Sequence, residues 1–347
     1  MIRYADKNDL EAIINIWEAS FPGDEAFIGY YFDKVYKPAN TLLYMSSGNI
    51  AAMLQMLPAM FSMPGGTVPV SYIYGAATHP DYRRRGYMTK LIKSAFEASA
   101  MFNRHMTMLI PQEKALFTFY KMFGFEPVFN VGLTEVPANP LPDGWAVENS
   151  RDPARYNAVY EKTFTGVPHL LRSENNWRIL MGEYEILNGE IAICSKNGED
   201  VAYAFMVSGN KGASIIELVG PEPEDYKGFA AALAHQHGSE TIKAITPADN
   251  GNTSPFGCAR IINYRRILDM FAAANKMLDI ELTVRDPMCP WENKSYRIRN
   301  GYVDITGTAP EYTPQELAEL LFARNSRLRD LGIEPYPLMP YINLMHN

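Results

Sequence analysis

The chain has 347 residues, which exceeds one ordinary domain and predicts more than one hydrophobic core. Hydrophobic residues make up 47% and charged residues 20% of the chain, the composition of a globular protein and not of a disordered one. The net charge of -7 argues against nucleic acid as a partner and favours the approach of a cationic small molecule.

The cysteines Cys194, Cys258 and Cys289 are widely spaced and odd in number. This pattern is typical of a reducing compartment and indicates neither a disulfide framework nor a metal cluster. No signal peptide is visible in the sequence. A membrane span would require an apolar run of about 18 residues, and none is visible either. We therefore predict a cytoplasmic protein with no metal and no membrane partner.

The first part of the chain predicts a mixed α/β unit. A helix is predicted after Asp6, which can cap it, because apolar residues from Leu10 to Trp17 follow a 3.6-residue period. Two apolar runs then flank Ser46-Ser47-Gly48-Asn49, whose Gly and Asn suit the positive φ of a hairpin turn. The elements that follow are a strand at 68–78, a helix at 89–99, a strand at 106–110, a helix at 114–122 and a strand at 125–136.

Two segments rich in proline and turn-forming residues indicate domain boundaries, at 137–144 and at 249–257. Between them the predicted order of elements repeats that of the first part. It comprises helices at 153–164 and 169–181, strands at 190–194, 201–207 and 214–219, a helix at 224–235 and a strand at 241–246. A smaller domain begins near Ala259, and its last helix, at 313–329, starts with the cap Thr313-Pro314-Gln315-Glu316.

The most informative stretch lies between a predicted strand and a predicted helix, and contains Arg83-Arg84-Arg85-Gly86. A helix N-terminus exposes unpaired N–H groups and carries partial positive charge, so a glycine there lets a pyrophosphate lie against the main chain. Arginine runs are also typical of a solvated surface, but the strand and helix around this one favour phosphate binding.

This stretch resembles the signature of the GNAT acetyltransferase superfamily, Arg/Gln-x-x-Gly-x-Gly/Ala. Arg83 and Gly86 match it, whereas Met88 stands where Gly or Ala is usual. The resemblance implies that acetyl-CoA is the acyl donor and that the preceding strand splays at a bulge, which Gly75 would permit. The residues implied in binding acetyl-CoA are Ala76, Ala77, Thr78, Arg83, Arg84, Arg85, Gly86, Tyr87, Met88 and Thr89.

A second motif, Tyr120-x-x-x-Gly124-Phe125, resembles the superfamily's Tyr-x-x-x-Gly-Phe and makes Tyr120 the expected general acid. Attack by an amine expels the coenzyme thiolate, whose conjugate acid has a pKa near ~8.5, and a phenol with a pKa near ~10 can protonate it. The alternative is that Tyr120 only packs beneath the sheet.

Over its whole length the chain is similar to the Eis-type N-acetyltransferases, in the Arg-Arg-Arg-Gly motif, the repeated order of elements and the small closing domain. The resemblance implies an α/β fold with α+β mixed sheets. Its parts would be a catalytic GNAT domain (1–136), a degenerate GNAT-like domain (137–258) and a sterol carrier protein-like α+β domain (259–347). It also implies a homo-oligomer, a hexamer, and a catalytic terminal carboxylate at Asn347. The alternative for Asn347 is a frayed end.

Asp24 and Glu25 follow the first helix, where GNAT enzymes commonly line the acceptor site. They could attract a cationic amine, although a pair of loop carboxylates is also typical of a solvated surface.

Together these features predict an N-acetyltransferase, and the resemblance to the Eis-type enzymes implies an aminoglycoside- or polyamine-like amine as its acceptor. Two alternatives stay open: acetylation of a protein lysine or N-terminus, and a non-catalytic protein that binds a lipid or another ligand.

Overall fold

The computed structural model describes residues 1–23, 25–209, 212–249, 253–322, 331, 333 and 336–343. The helices are α1 (Leu10–Ser20), α2 (Glu25–Lys34), α3 (Tyr87–Met101), α4 (Lys114–Lys121), α5 (Pro153–Thr163), α6 (Glu174–Ile186), α7 (Pro223–Gln236), α8 (Tyr264–Ala274) and α9 (Pro314–Phe322). The strands are β1 (Ile2–Tyr4), β2 (Thr41–Ser46), β3 (Asn49–Met63), β4 (Gly66–Thr78), β5 (Met106–Leu109), β6 (Glu126–Pro137), β7 (Trp145–Glu148), β8 (His169–Leu171), β9 (Glu190–Lys196), β10 (Glu199–Gly209), β11 (Gly212–Val219), β12 (Thr241–Pro247), β13 (Thr253–Ile261), β14 (Asp279–Val284), β15 (Ser295–Arg299), β16 (Tyr302–Ile305) and β17 (Glu311–Tyr312). The predicted mixed α/β class is confirmed.

The chain divides into two compact units. The first comprises Met1–Gly23, Tyr36–Phe129 and Phe256–Tyr336, and the second comprises Asp24–Val35, Asn130–Pro255 and Pro337–Asn347. The first unit therefore contains residues of both the first and the third predicted domain. The division into three domains stays a prediction.

The first unit contains a sheet with the order β1–β2–β3–β4–β5–β13, in which only β4 and β5 run parallel. The predicted hairpin joins β2 to β3. Its positive φ angles are those of Ser47 (51°) and Gly48 (83°), so the prediction is right for Gly48 and wrong for Asn49, which already begins β3. A second sheet has the order β16–β15–β14–β17, and α8 packs on it.

Helix α3 covers one face of the first sheet and packs on β3 and β4. Its buried residues Leu91 and Phe96 meet Leu54 and Ile73 of the strands and Phe125, which follows α4; each of these side chains is at most 3% exposed. This cluster fixes α3 and α4 against the sheet, because each buried side chain contributes about 1.5–3 kcal/mol of transfer free energy.

In the second unit the strands β7, β9, β10, β11 and β12 pair in that order, and only β11 and β12 run parallel. This is the pairing scheme of β1 to β5, and α7 connects the parallel strands as α3 connects β4 to β5.

Two sequence-based expectations about local structure are wrong. Residues 169–171 form β8 and not a helix, because Ser173 caps a helix that begins only at Glu174. The turn-rich segment at 249–257 contains the start of β13, which continues to Ile261 and pairs with β5. Pairing partners distant in sequence override the local preference there. No helix within the described ranges is long and apolar enough to cross a membrane.

Candidate active site

Strand β4 separates from β5 in its second half. The two strands pair through Val70, Ser71 and Tyr72, and their pairing ends there, although β4 continues to Thr78. On its other edge β4 stays paired with β3, but one extra residue enters β4 in the Gly75-Ala76 region, between the partners of Met53 and Gln55. The edge of β4 that faces away from β3 therefore presents main-chain groups that can pair with an extended ligand.

The loop after β4 is organised by its own side chains. The Arg83 Nε donates to the Thr78 carbonyl (3.1 Å), and an Arg85 Nη donates to the Asp81 carbonyl (3.0 Å). The Arg85 guanidinium also lies 5.4 Å from the centre of the Tyr82 ring. Arg83, Arg84 and Arg85 are all exposed, so three cationic side chains lie on the loop directly before α3.

Helix α3 begins at Tyr87 behind Gly86, which has a φ of 73° and serves as the N-cap without a side-chain cap. The first N–H groups of the helix have no intrahelical acceptor, so they are available to an anion. Gly86 is exposed and a Cβ there would meet no atom within 4 Å, so its positive φ alone requires glycine.

Tyr87, the first residue of α3, contacts two residues of β2. Its ring stacks on that of Tyr44 with 4.2 Å between centroids, and its hydroxyl lies 3.1 Å from the Ser46 Oγ. The hydrogen bond with Ser46 lowers the pKa of Tyr87. The side chain of Tyr87 is therefore engaged with Tyr44 and Ser46, so the group that Tyr87 can offer to a ligand is its backbone N–H.

Tyr120 lies near the end of α4 and is 8% exposed. It belongs to the same cluster as Leu91 of α3, and Ala76 of β4 and Met88 of α3 pack against this cluster. The structure therefore places Tyr120 in the cluster against which these predicted strand and helix residues pack. Burial raises the pKa of Tyr120 to about 12, so the phenol is protonated at neutral pH.

The sequence does not indicate which residues pack against the bulge in β4. The Trp17 indole lies against Gly75, where a Cβ would come within 2.5 Å of it, and the Trp17 ring is 5.5 Å from that of Tyr74. The sequence indicates Trp17 only as part of the apolar face of α1, since its contact with β4 is set by tertiary packing.

The other predicted site residues are placed as follows. Glu25 is the exposed first residue of α2, in the second unit, where α2 packs on α6. Asp24 and Asn347 lie outside the described residues. Within the described ranges no group of three or more His, Cys, Asp or Glu side chains could hold a metal ion.

A family model described as an acetyltransferase (GNAT) domain matches residues 1–128. None of the curated proteins matches the sequence.

Solved structures share the fold over almost the whole chain. A conserved protein of unknown function from Enterococcus faecalis, a probable N-acyltransferase, has a TM-score of 0.79 at 15% identity, and the match covers 99% of each chain. Eis1 from Mycobacterium abscessus has a TM-score of 0.74 at 16% identity and 99% coverage of each chain. A GCN5-related N-acetyltransferase from Anabaena variabilis has a TM-score of 0.73 at 16% identity, covering 98% of this chain and 94% of that chain. Residues 1–128 therefore match a GNAT acetyltransferase domain, and this match supports an acyltransferase enzyme.

Proposed function

We propose that this enzyme is an N-acetyltransferase that transfers the acetyl group of acetyl-CoA to an amine. The observation that carries the proposal is that β4 and β5 separate after Tyr72, next to the uncapped start of α3. GNAT proteins use acyl-CoA, and these two features suit its two polar parts. The free edge of β4 suits the amides of the pantetheine arm, and the helix start suits the diphosphate.

The pantetheine arm would pair with β4 at Ala76, Ala77 and Thr78, because an extended amide chain can add to a strand edge as a further strand would. The Thr78 carbonyl already accepts from Arg83, so the pairing would depend mainly on Ala76 and Ala77.

The diphosphate would accept hydrogen bonds from the first N–H groups of α3, at Tyr87, Met88 and Thr89. Arg83, Arg84 and Arg85 would contribute positive charge around it, with the Gly86 turn aiming the helix start. Met88 is no obstacle to this role, because its side chain packs against the buried cluster and its N–H remains at the helix start.

In the reaction the acceptor nitrogen bonds to the thioester carbonyl carbon, the C–S bond breaks, and the sulfur leaves with the electron pair. Tyr120 would donate its proton to the sulfur, while the nitrogen loses a proton to solvent or to a base. A phenol with a pKa of about 12 is a weak acid for this task. Transfer would therefore occur as the C–S bond breaks and negative charge builds up on the sulfur.

Replacement of Gly86 by Ala is expected to weaken binding of CoA about 10-fold. A non-glycine residue at φ 73° is strained by about 1–2 kcal/mol, and relief of this strain would turn the first amides of α3 away from the diphosphate. Isothermal titration calorimetry with CoA measures the change.

Gly166 provides a matched control in the second unit, since it has a φ of 74° and open space around a Cβ. Gly166→Ala should lower the melting temperature to a similar extent and leave the Kd for CoA unchanged. Equal CoA affinity in the two variants and the wild type would remove the role of the Gly86 turn.

The acceptor would be a cationic aminoglycoside- or polyamine-like amine. The net charge of -7 favours its approach, and Glu25 and Asp24 stay candidates to attract it. The terminal carboxylate of Asn347 stays a candidate base. A homo-oligomer, as a hexamer, also stays part of the proposal.

The second unit would be a degenerate GNAT-like domain. Its α7 follows β11 as α3 follows β4, but Glu222 caps it and its first turn carries Glu224 and Asp225. These carboxylates would repel a diphosphate at this helix start. The chain from residue 259 onward would form the sterol carrier protein-like part.

Thiol release from acetyl-CoA tests the function, with kanamycin, spermine and a lysine peptide as acceptors. We expect amine-dependent release with at least one small amine, and mass spectrometry should find a product heavier by one acetyl group. Release with the peptide alone would support protein acetylation. Calorimetry that shows no CoA binding at millimolar concentration, together with no release, would support the non-catalytic alternative.

A further inference from the structure

A buried arginine lies directly behind the end of α4 in the first unit. Arg260 of β13 is fully buried, and one of its Nη atoms donates to both carboxylate oxygens of Asp286, at 2.8 and 2.7 Å. Asp286 is itself fixed by the Tyr264 hydroxyl (2.8 Å) and by the N–H groups of Met288 and Cys289 (2.9 and 3.0 Å). All these residues follow the matched GNAT segment, which ends at residue 128.

The second Nη atom of Arg260 faces Gly124, at the turn that ends α4. A Cβ at Gly124 would overlap this nitrogen, and Gly124 has a φ of 83°. The turn is tied to Tyr120, because the Phe123 N–H donates to the Tyr120 carbonyl (2.9 Å) and the Gly124 N–H donates to the Lys121 carbonyl (3.1 Å). A planar guanidinium thus sets how closely the end of α4 approaches β13.

The same guanidinium contacts α3. Its central carbon lies 4.3 Å from the centre of the Phe96 ring. Phe96 packs on Phe125 (5.8 Å between centroids), and Phe125 packs edge-on against Tyr120 (5.7 Å). Arg260 therefore touches both the helix whose start would bind the diphosphate and the turn that follows the tyrosine.

Stability alone is a poor explanation for this ion pair. Removal of two charges from water offsets most of their attraction, and apolar replacements of buried pairs are often neutral or stabilising. The Nε and the second Nη of Arg260 have no hydrogen-bond partner among the described residues, which adds to the cost of burial. What the guanidinium provides is a rigid flat surface between Phe96 and Gly124.

We propose that Arg260, held by Asp286, is a positioning residue that fixes the Tyr120 hydroxyl relative to the start of α3. This rests on the proposed function, in which Tyr120 protonates the leaving sulfur. It also means that the catalytic geometry of the GNAT domain depends on a part of the chain more than 120 residues beyond the matched segment.

The double variant Arg260→Met/Asp286→Asn removes both charges, while it keeps an unbranched apolar side chain at position 260 and the side-chain shape at position 286. We expect kcat to fall roughly 10- to 100-fold, because a shift of about 1 Å in a reacting group can cost that much. The KM for acetyl-CoA and the melting temperature should stay close to the wild-type values. The control is Arg265→Met/Asp269→Asn, which neutralises an exposed pair on α8 and should leave kcat unchanged.

A double-mutant cycle with Tyr120→Phe separates the possible outcomes, with the best acceptor among kanamycin, spermine and the lysine peptide. The proposal requires that the Arg260→Met/Asp286→Asn change have little further effect on kcat once the hydroxyl is absent. Two results would overturn the positioning role and leave the acid role standing. One is that the effects of Tyr120→Phe and of Arg260→Met/Asp286→Asn on kcat multiply, and the other is that Arg260→Met/Asp286→Asn with Tyr120 intact has the wild-type kcat. If Tyr120→Phe itself keeps full activity, the acid role fails and the positioning role fails with it.

Arg260→Lys gives a second measurement if the double variant does not fold. An ammonium keeps the charge opposite Asp286 but lacks the flat surface for Phe96 and Gly124. A folded Arg260→Lys protein with lowered kcat and unchanged KM for acetyl-CoA supports the proposal. Full rescue of kcat by lysine would show that the charge alone matters and would overturn it.

Discussion

Replacement of Tyr120 by Phe is expected to lower kcat about 10²-fold or more, with little change in the affinity for acetyl-CoA. A general acid commonly contributes about 10²–10⁴-fold, and water cannot easily replace a side chain that is 8% exposed. The Tyr120 hydroxyl forms no hydrogen bond with the described residues, so its loss should leave the fold intact. Steady-state thiol release measures kcat, and calorimetry with CoA measures binding.

Tyr302→Phe is the control for the loss of a phenol, because Tyr302 is 75% exposed and should have no effect on kcat. The pH dependence gives an independent test. Since burial raises the pKa of Tyr120 to about 12, the phenol stays protonated below that pH. Deprotonation of Tyr120 should therefore not lower kcat between about pH 8 and pH 10. Wild-type kcat in Tyr120→Phe would exclude the acid role. A loss of kcat near pH 10 that disappears in this variant would show that the phenol titrates as an exposed one.

Replacement of Arg172 by Met is expected to destabilise the protein by about 3–5 kcal/mol, because it leaves an uncompensated buried carboxylate. Arg172 and Glu217 are 0% and 1% exposed, and the guanidinium meets both carboxylate oxygens, at 2.7 and 3.0 Å. The guanidinium also lies 4.6 Å from the Trp177 ring centre, so tryptophan fluorescence during urea unfolding would report the loss directly.

The same pair holds the segment near the C-terminus within the second unit. Arg172 donates to the Asn343 carbonyl (2.7 and 3.1 Å), and the Tyr341 hydroxyl donates to Glu217 (2.6 Å). Hydrogen exchange at the Leu170 amide, which donates to the Tyr341 carbonyl, should therefore accelerate in Arg172→Met.

Two further variants test whether the burial of Glu217 causes the loss of stability in Arg172→Met. Arg172→Met/Glu217→Gln should recover most of the lost stability, since no buried charge remains. Arg178→Met removes an ion pair with Glu174 that is 63% and 70% exposed, and should cost no more than about 0.5 kcal/mol. Equal losses in Arg172→Met and Arg178→Met would contradict the explanation.

The local sequence was sufficient for most of the secondary structure. Helix α4 begins at the predicted Lys114, and its end is one residue from the prediction, because the amphipathic pattern and Gly124 are both local signals. The expectation of a helix at 169–171 and of a turn-rich boundary at 249–257 failed for the opposite reason. Residues 169–171 bond to the segment near Tyr341, and β13 pairs with β5, so partners more than 100 residues away decide both structures.

The sequence by itself determined the chemistry available at the start of α3. Arg83 to Gly86 must form a turn before a helix, because glycine permits the positive φ and the helix pattern begins directly behind it. Only the tertiary structure decided how the rest of the candidate site is assembled. The separation of β4 from β5, the contact of Trp17 with Gly75, and the contacts of the buried Arg260 with Asp286, Phe96 and Gly124 all depend on residues far apart in the chain. Periodicity and motifs record local backbone preferences, whereas these contacts depend on how the sheet and helices pack.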